Sequence, residues 1–217
     1  MTDNLFVQYF IKGGWIMWPI LMTSVVAVAI VLNRVIWWSL ERRKHDPDKL
    51  DKVYASIQKG DIKAAADLAK TSQDPILRVV GNGLNNHHAS MDGALQVAAG
   101  YEMERAGRFI VVLDTIVTLA PLLGLLGTVT GLMKAFFKLG STELSEEAIS
   151  GGIAEALIAT ACGLTIAVMS LVFLNYFAAR VSKLQFEIQT ACTNVEVLFK
   201  SLAKKKNPVE SPVAAVA

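Results

Sequence analysis

The sequence predicts an all-α membrane protein: three transmembrane helices with a helical cytoplasmic domain, the second and third helices long and extending into the cytoplasm. Three observations predict it. Of 217 residues, 53% are hydrophobic and only 18% charged, with a mean hydropathy of +0.43; an average soluble domain carries about 25% charged residues. Three apolar runs reach or exceed the roughly 20 residues that cross about 30 Å of hydrocarbon. No stretch shows the two-residue alternation of a half-buried strand.

The first run, Trp15 to Trp38, is broken only by Asn33 and Arg34 near its end. It is too long for the apolar core of a signal peptide, follows no basic segment and shows no small-residue cleavage site, so it reads as a retained anchor. Trp15, Trp18, Trp37 and Trp38 stand at its two ends, where amphipathic rings favour the membrane interface. The second run, Phe109 to Phe137, holds Asp114 near its start and Lys134 near its finish. The third, Gly151 to Ala179, holds one charge, Glu155.

Cytoplasmic flanks of membrane helices carry excess Lys and Arg. Arg34, Arg42, Arg43 and Lys44 follow the first run, Arg105 and Arg108 precede the second, and Arg180 and Lys183 follow the third. The opposite flanks offer Lys12, Lys134 and Lys138, with Glu143, Glu146 and Glu147 beside them. The expected order is therefore a periplasmic N-terminus (1–14), a first transmembrane helix (15–38) and a cytoplasmic helical domain (39–108). A second transmembrane helix (109–137), a short periplasmic loop (138–148) and a third transmembrane helix (149–179) follow, then a cytoplasmic helix (180–203) and a disordered tail (204–217).

Within 39–108 the local signals are helical. Asp46-Pro47 and Asp74-Pro75 each read as an N-cap followed by proline at the first helical position. Gly60-Asp61 ends one helix and starts an alanine-rich one. From about Ser90 the pattern runs without proline into the second span, predicting one long helix. Ser145 can cap the third span's helix, with Glu146 and Glu147 favoured by its dipole. Beyond Ala179 an amphipathic pattern continues through Leu184, Ile188, Cys192, Val195 and Leu198.

Composition excludes several function classes. A net charge of +2, with no basic cluster interleaved with aromatics, gives no nucleic-acid signal. Cys162 and Cys192 have no metal-ligand or CxxC spacing and read as free thiols. His87-His88 is expected in a loop with no carboxylate or cysteine pattern to complete a metal site. Gly81-Asn82-Gly83 lacks the preceding strand and third glycine of a dinucleotide fingerprint. No nucleophile, base and orienting acid fall together. Neither an enzyme nor a cofactor is expected.

The second span places Ala120, Gly124, Gly127, Thr128, Gly131 and Ala135 at spacings of three and four, and the third does the same with Gly152, Ala156, Ala159, Gly163, Ala167 and Ser170. Such stripes let helix backbones approach closely where lipid removes the hydrophobic drive; they serve equally for packing within one chain or between copies. Glu155, about one turn inside the third span, costs several kcal/mol if it faces lipid as an anion. It either faces a bundle interior or watery path, or snorkels to the outer surface near its helix N-terminus. Thr128 and Thr160 offer hydroxyls that can orient a carboxyl or a water, or bond their own helix. Asp114 lies at the inner boundary, where headgroups or Arg108 can solvate it.

These residues carry a resemblance. The stretch Ala120-Pro121-Leu122-Leu123-Gly124-Leu125-Leu126-Gly127-Thr128-Val129-Thr130-Gly131 resembles the second-span signature of the MotA/TolQ/ExbB proton-channel family. Gly152-Ile153-Ala154-Glu155-Ala156-Leu157-Ile158-Ala159-Thr160-Ala161-Cys162-Gly163-Leu164 is similar to its third-span signature, and Met17-Trp18-Pro19-Ile20 with the following apolar run resembles its first span. Three spans fit the ExbB/TolQ branch better than the four-span flagellar one.

The resemblance implies a homo-oligomer, a pentamer, in a bacterial inner membrane, its second and third spans lining a pore around a single-span ExbD/TolR-like partner, with a TonB- or TolA-like protein beyond. It implies that Thr128, Glu155 and Thr160 line a proton pathway and that Pro121, Gly124, Gly127, Gly131, Gly152 and Gly163 pack the helices. The implied function is proton conduction in a motor that energises an envelope or outer-membrane process. The alternatives are a non-conducting membrane scaffold and a Tol-type or gliding-type stator. A solute transporter would call for inverted repeats and broken helices, which the sequence lacks. Where the family has a proline after the third-span Gly-Leu, this chain has Ala167-Val168-Met169-Ser170, which predicts a straighter helix.

Overall fold

A computed structural model describes Phe10, residues 12–139 and residues 146–206. Among these the chain is all-α: α1 Met17–Arg42, α2 Pro47–Gln58, α3 Ile62–Lys70, α4 Pro75–Asn85, α5 His87–Gly107, α6 Ile110–Leu139 and α7 Glu146–Lys206. Three stretches are long and apolar enough to span a bilayer: Met17–Arg42, Ser90–Phe137 and Ser150–Leu202. Ser145 and the loop around it, and the tail beyond Lys206, lie outside the described residues.

The chain divides into two compact units. The first, Met1–Val35 with Phe109–Ala178, is apolar. Ile16, with Met17 and Ile20 of α1, is buried against Ala159 of α7, with Leu123, Ile158, Cys162 and Ile166 around them. Most other large side chains of α1, including Leu21, Met22, Val25, Val28 and Leu32, are exposed. A soluble protein rarely leaves so large an apolar surface in water; hydrocarbon is its natural solvent. Arg34, counted above as a flanking cation, is buried in this unit.

The second unit, Ile36–Arg108 with Ala179–Ala217, is a polar helical domain. Asp46 and Asp74 cap α2 and α4: their carboxylates accept from the backbone N–H of Lys49 at 3.1 Å and of Ile76 at 2.8 Å, with proline next in each case. Gly60 (φ 83°) turns the chain between α2 and α3, and Asp61 caps the latter through the Ala64 N–H. Only glycine takes that φ freely. The core joins Val53 and Ile57, Ala65 and Ala69, Leu77 and Val80, Leu95, and the far part of α7 through Leu184, Ile188, Cys192 and Val195. A Cβ on Gly83 would collide with the side chain of Leu95, so the Gly81-Asn82-Gly83 stretch serves helix packing.

Two local expectations change. His87-His88 begins α5 instead of lying in a loop, because Asn86 (φ −103°, ψ 14°) departs too little from helical geometry to separate α4 from α5 by more than one residue. The uninterrupted helix expected from Ser90 into the second span is broken at Arg108 (ψ 134°) and Phe109 (φ 65°). Gly107 supplies the weak point, glycine being a poor helix former and a common terminator. Ser90, itself non-helical, accepts from the Gly93 N–H at 3.2 Å and so acts as an internal cap.

Candidate functional site

The site is built on the seam between α6 and α7. Small residues bring the two backbones together in antiparallel register. A Cβ on Gly163 would stand 2.5 Å from the Ala120 carbonyl oxygen, one on Gly124 3.0 Å from Cα of Thr160, and one on Gly131 2.8 Å from the Gly152 carbonyl oxygen. Gly127 is closed by Ala159, and Gly152 by Ala135. Ala120, Ala135, Ala156 and Ala159, which meet these glycines, are buried, as are Ala167 and Ser170 further along α7. Both stripes are thus used within one chain. Pro121 lies inside α6, half-buried beside this line; lacking an N–H, it leaves the Val117 carbonyl without its usual helical donor.

Near the start of α7 the seam holds a charge. Glu155 Oε1 accepts from Lys134 Nζ of α6 at 2.5 Å, the carboxylate side chain 13% exposed and the ammonium side chain 48%. Gly14, at φ 71°, packs against the same carboxylate; a Cβ there would overlap Oε1 and Cδ of Glu155. Three segments therefore enclose one carboxylate: the N-terminal chain, α6 and α7. An anion inside an apolar helix pair is tolerated where it is paired in this way.

The threonines differ from each other. Thr160 Oγ1 donates across the seam to the Gly124 carbonyl at 3.0 Å, pinning α7 to α6. Thr128 Oγ1 donates to Leu125 of its own helix at 2.7 Å and lies half-buried at the margin of the seam. Among the described hydrogen bonds none joins Thr128 to Glu155 or Thr160. Asp114 is exposed in the first turns of α6, where Thr118 Oγ1 donates to the Thr115 carbonyl at 2.9 Å.

Two helices closed on glycines thus hold a paired carboxylate between apolar walls. The profile of the MotA/TolQ/ExbB proton channel family matches residues 70–190, which include all of α6 and the part of α7 that carries Glu155 and Thr160. The chain belongs to this family. It is 34% identical to an ExbB-like protein of Synechocystis sp. over 87% of this chain and 92% of that one. It is 28% identical to the biopolymer transport protein ExbB of Salmonella typhimurium, over 84% and 80% of the two chains. With the Tol-Pal system protein TolQ of Haemophilus influenzae it shares 37% over 42% and 41%. These relatives set it in the ExbB/TolQ branch, whose members are channel and transport subunits.

Within this ExbB/TolQ-type chain, sequence reasoning missed two members of the Glu155 cluster. Lys134 was counted only as a flank charge and Gly14 not at all. A signal for Lys134 did exist. Once Gly131 is paired with Gly152 and Ala135 packs on Gly152, the antiparallel register carries Lys134 towards the first turns of α7. Nothing in the pattern points to Gly14, which comes from a segment outside the helices.

Proposed function

We propose that this chain is the proton-conducting subunit of a proton-motive-force-driven, ExbB/TolQ-like motor complex in a bacterial inner membrane. Its N-terminus lies in the periplasm and its polar unit in the cytoplasm. Copies assemble, as a pentamer, around a single-span partner of the ExbD/TolR type, and the complex energises an envelope or outer-membrane process. The observation that carries the reading is the enclosed Glu155 carboxylate on a glycine-closed helix pair in a chain of a proton channel family. The Lys and Arg flanks support the orientation. A TonB-type import role is one such process; a Tol-type or gliding-type role is the alternative.

Thr128, Glu155 and Thr160 are assigned to the pathway, with Thr160 also holding the wall together. One proton descending 100 mV releases about 2.3 kcal/mol, so a few protons per step suffice to shift a partner between packing states. The test is proton flux into liposomes holding the chain with its ExbD-type partner, comparing wild type with Glu155→Gln and Thr160→Val. Flux should fall strongly in the first and measurably in the second. Unchanged flux in both would sink the pathway. A second reading, a non-conducting scaffold, is favoured by the Lys134–Glu155 ion pair, which on its own is a structural tie. A complex of normal size that never conducts would select it.

A further inference from the structure

The Lys134–Glu155 pair goes further than a tie between helices. We propose that Lys134 is a built-in counter-cation that denies the Glu155 carboxylate to sodium, so that Gly14, Lys134 and Glu155 together set the coupling ion. The proposal deepens the proton-conducting reading and rests on it.

A sodium ion binds by exchanging its water shell for several oxygen ligands, and a carboxylate in an apolar wall is the natural first one. Here the cation position at Oε1 is already held by the Lys134 ammonium at 2.5 Å. The backbone of Gly14 packs against the same oxygen, so closely that no side chain fits there. A free cation would have to expel a tethered ammonium whose effective concentration is high because α6 and α7 are locked in register by Gly131, Gly152 and Ala135. A proton needs no vacant cation position: the ammonium can hand one of its own protons to Oε1 along this charge-assisted hydrogen bond and take another from its exposed side. The exposures agree with this division of roles: the carboxylate is enclosed, while the ammonium reaches outward on its long stem.

The test has two arms. In the first, radiosodium binding is measured on the purified chain in detergent. Lys134→Met should bind sodium about tenfold more tightly than wild type, a difference of about 1.4 kcal/mol. Lys134→Arg should behave as wild type, and the double variant Lys134→Met/Glu155→Gln should lose the gain. In the second arm, proton flux through the chain with its partner is compared in sodium and potassium media. Wild type and Lys134→Arg should be indifferent to the cation, whereas Lys134→Met should be inhibited severalfold by sodium. Sodium-dependent wild-type flux would overturn the proposal, as would a Lys134→Met protein that elutes at normal size and handles sodium as wild type does. If wild type conducts no protons while the binding difference stands, the functional reading fails and the counter-cation survives.

Discussion

At the scale of single residues, the Thr160 hydroxyl and the Cys192 thiol are each tuned by their surroundings. Thr160 donates across the seam to the Gly124 carbonyl, which α6 already supplies with a backbone donor, so removing the hydroxyl orphans nothing. Thr160→Val should therefore lower stability in lipid or detergent only slightly, by about 0.6–1.7 kcal/mol, as read from the unfolding midpoint. A larger loss of flux than of stability would mark the hydroxyl as part of the pathway. Cys192, in the core of the polar unit, has its thiol pushed up to about 11, first by burial and then by Glu196 and Asp92. Its folded value lies above the unfolded one, near 9.0. The stabilisation is therefore complete below pH 9 and is lost as pH rises from 9 towards 11. Wild type should lose about 1–2 kcal/mol more than Cys192→Ala across that window, and the thiol should alkylate slowly at neutral pH. An equal loss in both proteins would refute the assignment. Such shifts could not be read from the sequence. Cys192 shows its burial through its place in the amphipathic pattern of α7, but Asp92 is a hundred residues away in the chain.

At the scale of elements, the polar unit is closed by a charge clamp that links three of them. Arg78 of α4 donates to both oxygens of Glu102 of α5 (Nε–Oε1 2.8 Å, Nη2–Oε2 2.7 Å), to Glu41 at the end of α1 (3.0 Å) and to the Gln73 carbonyl (2.8 Å). Burial works against its charge, yet the hydrogen bonds to Glu102 and Glu41 win and raise its pKa. Bidentate geometry is what arginine provides and lysine does not. Arg78→Met leaves Glu41 buried with only Lys44 to pair it and should cost about 2–4 kcal/mol; Arg78→Lys should recover only part of that. Thermal unfolding of the two variants side by side checks the claim, and equal stabilities would refute it. This clamp was invisible in the sequence because its members lie far apart in the chain and each looks like an ordinary surface charge. Caps and helices were legible because their signals are local: Asp-Pro at two starts, Gly60 at a stop, and a three-four periodicity in α7. The break at Phe109 was missed for the opposite reason. Gly107 is one weak signal inside a long apolar and alanine-rich context, and tertiary surroundings decide whether such a signal ends a helix.

At the scale of the whole molecule, the use of the glycine stripes decides where further copies or partners can bind. Sequence alone left those stripes open to packing within or between chains. The seam between α6 and α7 occupies them, so assembly must draw on the other faces. Those faces are apolar and open: Leu122, Leu125, Val129 and Met133 on α6, and Leu157, Leu164, Val168 and Val172 on α7. Two classes of substitution should then separate. Gly131→Leu drives a side chain into the Gly152 carbonyl, and overpacking of that kind costs roughly 1–3 kcal/mol or more. It should reduce the amount of folded chain in the membrane whatever the assembly does. Val129→Gln and Leu157→Gln fall at exposed positions of the single chain and insert normally, one polar amide being tolerated in a long apolar helix. If these faces join copies, the two glutamine variants should appear in the membrane at wild-type level while the mass of the extracted complex falls from that of the wild-type assembly towards one copy. Loss of folded chain in all three variants would mean that the open faces also hold the single chain together. An assembly that survives both glutamine substitutions would move the contact between copies to α1 or to the polar unit.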